Sequence, residues 1–295
     1  MTCRPMILGI LLCAAVCLAS GCGDSVSRPA SEQPGDESIP AAPELPPVAS
    51  MQFGLDAFGA PARTAMEPLG ASGSAAAGAR ARSMGNWWQA AVRVAVIDLV
   101  VAAAVTPPAL AFGAALNAEP EYLGAGTWRW TYLWTAADGD QVEIRLTGTL
   151  ETDRVHWELR LREELTAPPE ESLVWFYGAS FHGEERGYWI FNELGTGAAV
   201  PVARVDWDVR GPQDEELRFE CIAVGSDDDG DRLVSFVDGA RHTLEFYDAS
   251  EAIFADIGWN AVTGAGSLQV PDYNGGERAC WDTNRQDVEC PADPI

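Results

Sequence analysis

The side chains in this sequence that could do chemistry are its histidines, clustered carboxylates, cysteines and tryptophans, and their spacing restricts more than it promises. The three histidines, His156, His182 and His242, stand too far apart for a helix pair or a knuckle, so no zinc set is expected and all three read as solvated. The run Asp227-Asp228-Asp229-Gly230-Asp231 invites calcium. An EF-hand loop counted from Asp227 has Arg232 where the sharp turn needs glycine, and one with Gly230 at the turn has Phe236 where the closing glutamate belongs. The run therefore reads as a hairpin turn. No G-x-S-x-G, no H-E-x-x-H and no glycine-rich phosphate loop is present, so neither a catalytic residue, a metal nor a cofactor is expected.

Charge narrows the partners. Asp and Glu number 44 against 19 basic residues, all of them Arg, for a net charge of −25. Such a surface repels phosphate backbones, so nucleic acid is disfavoured as a partner. The absence of Lys removes Schiff-base chemistry and a lysine general base. Among so many carboxylates, any two that fall together are uninformative.

The elements that position these residues follow from hydrophobic period. Residues 23–50 are rich in Pro, Ser and Glu, and 51–84 hold one weakly apolar patch, Met51 to Phe58, before an Ala/Gly/Ser tract; both read as flexible tether. From Asn86, a plausible N-cap, Trp88, Val92, Ala95, Val96, Leu99 and Ala103 recur at helical spacing. The opposite side is apolar too, broken by Gln89, Arg93 and Asp98, which predicts a helix enclosed in protein. Thr106-Pro107-Pro108 predicts a fresh N-cap and a second short helix over 109–116.

Beyond the helix the pattern has period two. Trp128, Trp130, Tyr132 and Trp134 share one face, and Asp138-Gly139 turns the chain towards Val142, Ile144 and Leu146. Further apolar faces are predicted for Val155, Trp157, Leu159 and Leu161; for Leu173, Trp175 and Tyr177; for Val205, Trp207 and Val209; and for Leu217, Phe219 and Cys221. Later strands fall at 233–237, 243–247, 253–259 and 267–270, and the alternate positions carry Glu, Asp and Arg. Nine to eleven antiparallel strands with one apolar face predict a large curved meander. The expected fold is mainly β with an N-terminal helix (α+β), a half-barrel packed around a buried apolar helix. By parity Trp128, Trp130, Trp134, Trp157, Trp175 and Trp207 all face that helix. They suit an apolar ligand and suit a filled core equally well.

The amino terminus sets the compartment. Arg4 supplies a positive n-region, residues 6–18 an apolar h-region too short to span a bilayer, and Leu18-Ala19-Ser20-Gly21 precede Cys22. This stretch resembles the bacterial lipoprotein signal. The resemblance implies cleavage before Cys22, acylation of that residue and a membrane anchor. Gly23 after the anchor favours the outer membrane over inner-membrane retention. The organisation expected is then 1–21 signal peptide, 22–84 lipidated cysteine and disordered tether, and 85–295 one helix-plus-sheet domain.

Export leaves Cys221, Cys280 and Cys290 in an oxidising compartment. Cys280 and Cys290 close a short loop and are read as the disulfide, with Cys221 a buried small hydrophobe, although the sequence alone leaves pairings through Cys221 open. The mature domain resembles uncharacterised bacterial lipoproteins in its helix followed by Thr127-Trp128-Arg129-Trp130 and in its C-terminal cysteine pair. In outline the fold is similar to the Lol-type lipid-carrier half-barrels, an analogy that implies an apolar ligand or an envelope protein as partner. A non-catalytic binding or scaffold module is expected. The alternative is an envelope-polymer hydrolase using paired carboxylates.

Overall fold

The computed structural model describes residues 39–54, 85–135, 141–162, 172–194 and 199–292. The signal segment and Cys22 lie outside the described residues, as do 23–38 and 55–84 of the expected tether. One helix, α1 (Asn86–Ala115), precedes the strands β1 (Glu121–Gly124), β2 (Thr127–Thr135), β3 (Gln141–Leu150), β4 (Arg154–Arg162), β5 (Leu173–Phe181), β6 (Arg186–Glu193) and β7 (Val200–Gly211). They are followed by β8 (Asp214–Cys221), β9 (Arg232–Asp238), β10 (Arg241–Asp248), β11 (Ile253–Asn260), β12 (Gly266–Gln269), β13 (Ala279–Trp281) and β14 (Asp287–Val288). All fourteen form one open antiparallel sheet whose spatial order is the sequence order. The consecutive antiparallel meander expected from the period-two pattern is therefore the architecture, with fourteen strands in place of the nine to eleven expected.

Alternation succeeds where one face is polar. In β4 the pattern is strict, with Val155, Trp157, Leu159 and Leu161 buried between half-exposed neighbours. It misleads at β5. Leu159 pairs with Phe176 and Arg160 with Val174, so Trp175 is the extra residue of a bulge. A bulge reverses parity beyond it: Phe176 is fully buried, while Tyr177 lies opposite Glu158 on the outer face. The expected inward face of Leu173, Trp175 and Tyr177 is thus corrected to Leu173, Phe176 and Gly178. Strand β6 escapes the pattern because Trp189, Ile190 and Phe191 are all buried, leaving no polar beat to read. The alternate Glu, Asp and Arg positions form ion pairs on the outer face. Several run along one strand at i,i+2, as in Arg145–Glu143, Arg160–Glu158 and Arg204–Asp206, while Arg162–Glu143 crosses strands.

The helix departs from expectation in four respects. It starts well inside the chain and is not N-terminal, for a short 3-10 turn, Val48–Met51, precedes it. Its N-cap is Gly85, and Asn86 is already helical. Pro107 and Pro108 sit inside one continuous helix of 30 residues and no second helix starts there. Burial explains the continuity: Val101, Val105, Ala109 and Phe112 carry one buried stripe past the prolines, and tertiary packing outweighs the hydrogen bonds lost. Finally, α1 is not enclosed on all sides, because Val96 is 48 % and Leu110 59 % exposed. The stripe packs on β2 and β3 near one end of the sheet and on β12 and β13 near the other. No helix among the described residues is long and apolar enough to cross a membrane.

Two peripheral segments join the core. Ser50 and Met51 are buried and Leu45, Ala49 and Phe53 pack beside them, although this stretch falls within the compositional tether. The Ser50 hydroxyl accepts a 3.0 Å hydrogen bond from the Trp189 indole N–H, which satisfies the most deeply buried polar group of β6. At the other terminus Ala279, Cys280 and Trp281 are buried, and Cys280 is bonded to Cys290 as expected. Cys221 is buried facing the core as expected, but it is disulfide-bonded, which corrects its reading as an unbonded small hydrophobe.

Candidate functional site

The aromatic inner face was the strongest candidate in the sequence, and its local construction rests on glycine. A flat indole lies over the neighbouring strand and needs that strand to lack a Cβ. In register, Gly148 lies opposite both Trp128 and Trp157, and Gly178 opposite both Trp157 and Trp189. Gly187 faces Trp207, and Gly266 lies between Trp259 and Trp281. A Cβ at Gly148 would stand 2.6 Å from Trp157 Cζ3, and one at Gly178 2.6 Å from Trp189 Cε3. Each such pair locks one large ring into one position across the sheet.

These rings are packed against one another and against α1. Trp157 and Trp189 are fully buried, and Trp128, Trp130 and Trp207 nearly so. Phe112 of α1 lies 5.6 Å from Trp189 and 6.3 Å from Phe176 between ring centroids, and Trp130 lies 5.7 Å from Trp157. Trp134 shares the face of Trp130 yet is only half-buried, because it stands at the end of β2. Trp175, displaced by the bulge, is also half-buried. Of the six expected tryptophans, four thus meet in a core, and the helix residue Phe112 together with Trp189, which the pattern missed, completes it. The indole N–H groups of Trp128 and Trp207 are buried without a hydrogen-bond partner among the described residues.

A cleft of about 490 Å³ opens elsewhere, at the start of α1, lined by Gly85, Trp87, Trp88, Arg285, Gln286 and Asp287. The hairpin of β13 and β14 forms one wall and the first helical turn the other. Arg285 places its guanidinium 4.2 Å from the centre of the Trp87 ring, and Trp88 meets Trp87 edge to face at 5.0 Å. Asp287 accepts a hydrogen bond from the Asn86 backbone N–H at 2.7 Å. Sequence reading missed this grouping because its halves lie about two hundred residues apart and the first turn of a helix carries no mark of what will cover it.

The remaining polar candidates do not converge. Among the described residues no three His, Cys, Asp or Glu side chains are grouped to hold a metal ion. Burial against Trp259, whose ring lies 5.3 Å away, pushes the His242 imidazole below its usual pKa. Asp231 and Glu215 are the carboxyls pushed upward, each chiefly by burial. Glu215 stands near the start of β8, whereas the backbone of Asp231 bonds to Cys221 at its end. Six strand residues separate them, about 20 Å, against the roughly 5–10 Å that a glycosidase acid and its partner require. The acidic run 227–231 is the turn joining β8 to β9. No protein-family model, no curated protein and no solved structure matches the chain.

Proposed function

We propose that this chain is a lipid-anchored envelope module, held on the outer membrane by acylation of Cys22, and that it acts without catalysis by offering its surface to a protein partner. The domain is read as a half-barrel drawn around α1, since one helix packs against strands near both ends of an open sheet. The observation that carries the reading is the occupancy of the inner face by the protein's own rings: Trp157, Trp189, Phe112 and Phe176 are fully buried against one another. An apolar ligand could enter only by displacing the helix, which favours a scaffold over a carrier. Two measurements test this. Cys22→Ser should leave an exported protein in the soluble fraction, because each buried acyl methylene contributes about 0.8 kcal/mol of membrane affinity; retention on the membrane would overturn the anchor. Native mass spectrometry of the detergent-purified protein should show no bound lipid, and tryptophan emission should not respond to added fatty acid. Stoichiometric lipid would overturn the scaffold reading in favour of a carrier.

A further inference from the structure

An open sheet has two edges, and this protein guards only one of them. At the far edge β14 is two residues long, carries Asp287 and lies beside the Cys280–Cys290 bond. At the near edge β1 covers β2 only at Thr127, Trp128 and Arg129. From Trp130 to Thr135 the outer side of β2 has no neighbouring strand among the described residues, while its other side is paired with β3 throughout. The exposed stretch contains no charge, proline or bulge, the devices by which edges are usually blunted. It shows large apolar groups instead, with Leu133 at 47 % and Tyr132 at 37 % exposure.

The order of residues along this edge identifies what fits it. Thr131-Tyr132-Leu133-Trp134-Thr135 reads the same in both directions by side-chain class: threonine, aromatic, leucine, aromatic, threonine. An antiparallel strand centred on Leu133 of a second copy would set Tyr132 against Trp134 twice on the inner face. On the outer face it would set Leu133 against Leu133 and Thr131 against Thr135 twice. These are the cross-strand pairs that stabilise antiparallel sheets, and a two-fold axis requires just this self-complementarity. Charge permits it as well. In a chain of −25 two copies repel at most surfaces, yet here the acid in register with Leu133, Glu143, is ion-paired to both Arg145 and Arg162.

We propose that the protein forms a two-fold dimer by antiparallel pairing of the β2 edges through residues 131–135, joining two sheets into one. The pairing stands apart from the anchored-scaffold reading, and its test does not involve the anchor.

Cysteine crosslinking of the purified full-length protein in solution, read on non-reducing gels, gives the register. Leu133→Cys lies on the axis and should yield a species of twice the chain mass. Thr131→Cys alone should not, since its two copies would stand about 13 Å apart along the strand, beyond the reach of a disulfide; co-expression with Thr135→Cys should restore the band. In solution, the purified protein should sediment as a dimer, and Leu133→Lys should weaken that dimer by more than about tenfold by opposing two cations at the axis. A monomer with no Leu133→Cys band overturns the proposal, as does a dimer indifferent to Leu133→Lys. A monomer whose edge instead takes up an added extended peptide would overturn it too, and make the edge a peptide-docking site.

Discussion

The carboxylate of Asp287 caps the backbone N–H of Asn86 at 2.7 Å, so the first turn of α1 is closed by a residue 201 positions later. Gly85, the N-cap by position, has no side chain with which to do this, and a Cβ there would stand 2.8 Å from Asp287 Oδ1. Asn86, whose type suggests a cap, turns its side chain elsewhere: its Nδ2 donates to the Cys280 carbonyl and its Oδ1 accepts from the Tyr273 hydroxyl. A negative group at a helix start also meets the positive end of the macrodipole.

Removing that acceptor has a definite cost. Asp287→Ala is expected to lower unfolding free energy by about 1 kcal/mol, the usual worth of an N-cap. Urea denaturation should show an earlier midpoint with an unchanged slope. Asp287→Asn, which keeps an acceptor oxygen, should recover most of the loss.

Reduction of the Cys280–Cys290 bond should be felt at the helix as well as in the tail. The short loop makes the bond worth about 2 to 3 kcal/mol on a chain-entropy account, and loosening it also loosens Asp287 and the Cys280 carbonyl, both bonded to Asn86. Removing that bond alone with Cys280→Ser and Cys290→Ser, which leaves the bonded Cys221 untouched, should cost hydrogen-exchange protection over 86–93 and 279–288 while β3 to β8 keep theirs. Loss confined to the tail would show that the cap is energetically idle.

The glycines opposite tryptophan should resist even the smallest substitution. A Cβ at Gly178 would run into the Tyr188 backbone carbonyl as well as the Trp189 ring, and backbone cannot swing aside as a side chain can. Gly178→Ala is expected to cost about 3 kcal/mol, at the upper end of the overpacking range. Gly183→Ala, in a turn with open space around it but a φ of +69°, should cost less, about 1 kcal/mol, from backbone strain alone. Thermal unfolding of the two variants side by side decides the order.

Stability should fall on mild acidification through His242. Burial against Trp259 lowers its pKa in the folded state below the ordinary 6.5, so the unfolded chain takes up the proton first. The contribution is fully present above about pH 6.5 and is lost as pH falls through 6.5 towards the folded value. His242→Gln should flatten that part of the stability curve between pH 7 and 5. An unchanged slope would assign the dependence to the carboxylates.

Local chemistry settled a good deal of this protein before any contact was formed. Alternation in stretches such as Val155-His156-Trp157-Glu158-Leu159 requires a half-buried strand, and a succession of them with short turns requires an antiparallel meander, because period and turn type act over a few residues. The short loop between Cys280 and Cys290 favoured their bond, although the count of cysteines left Cys221 without the bond it has. Tertiary structure decided what depends on distant residues meeting. The bulge at Trp175 reversed a face because register is set jointly with β4; β6 was invisible because both its faces are covered. Pro107 and Pro108 continued a helix because its stripe is buried on either side of them. The aromatic face became a core because Phe112 arrives from α1, and the cap on Asn86 exists only because the chain's last hairpin returns to its first helix, a closure written in no window of sequence.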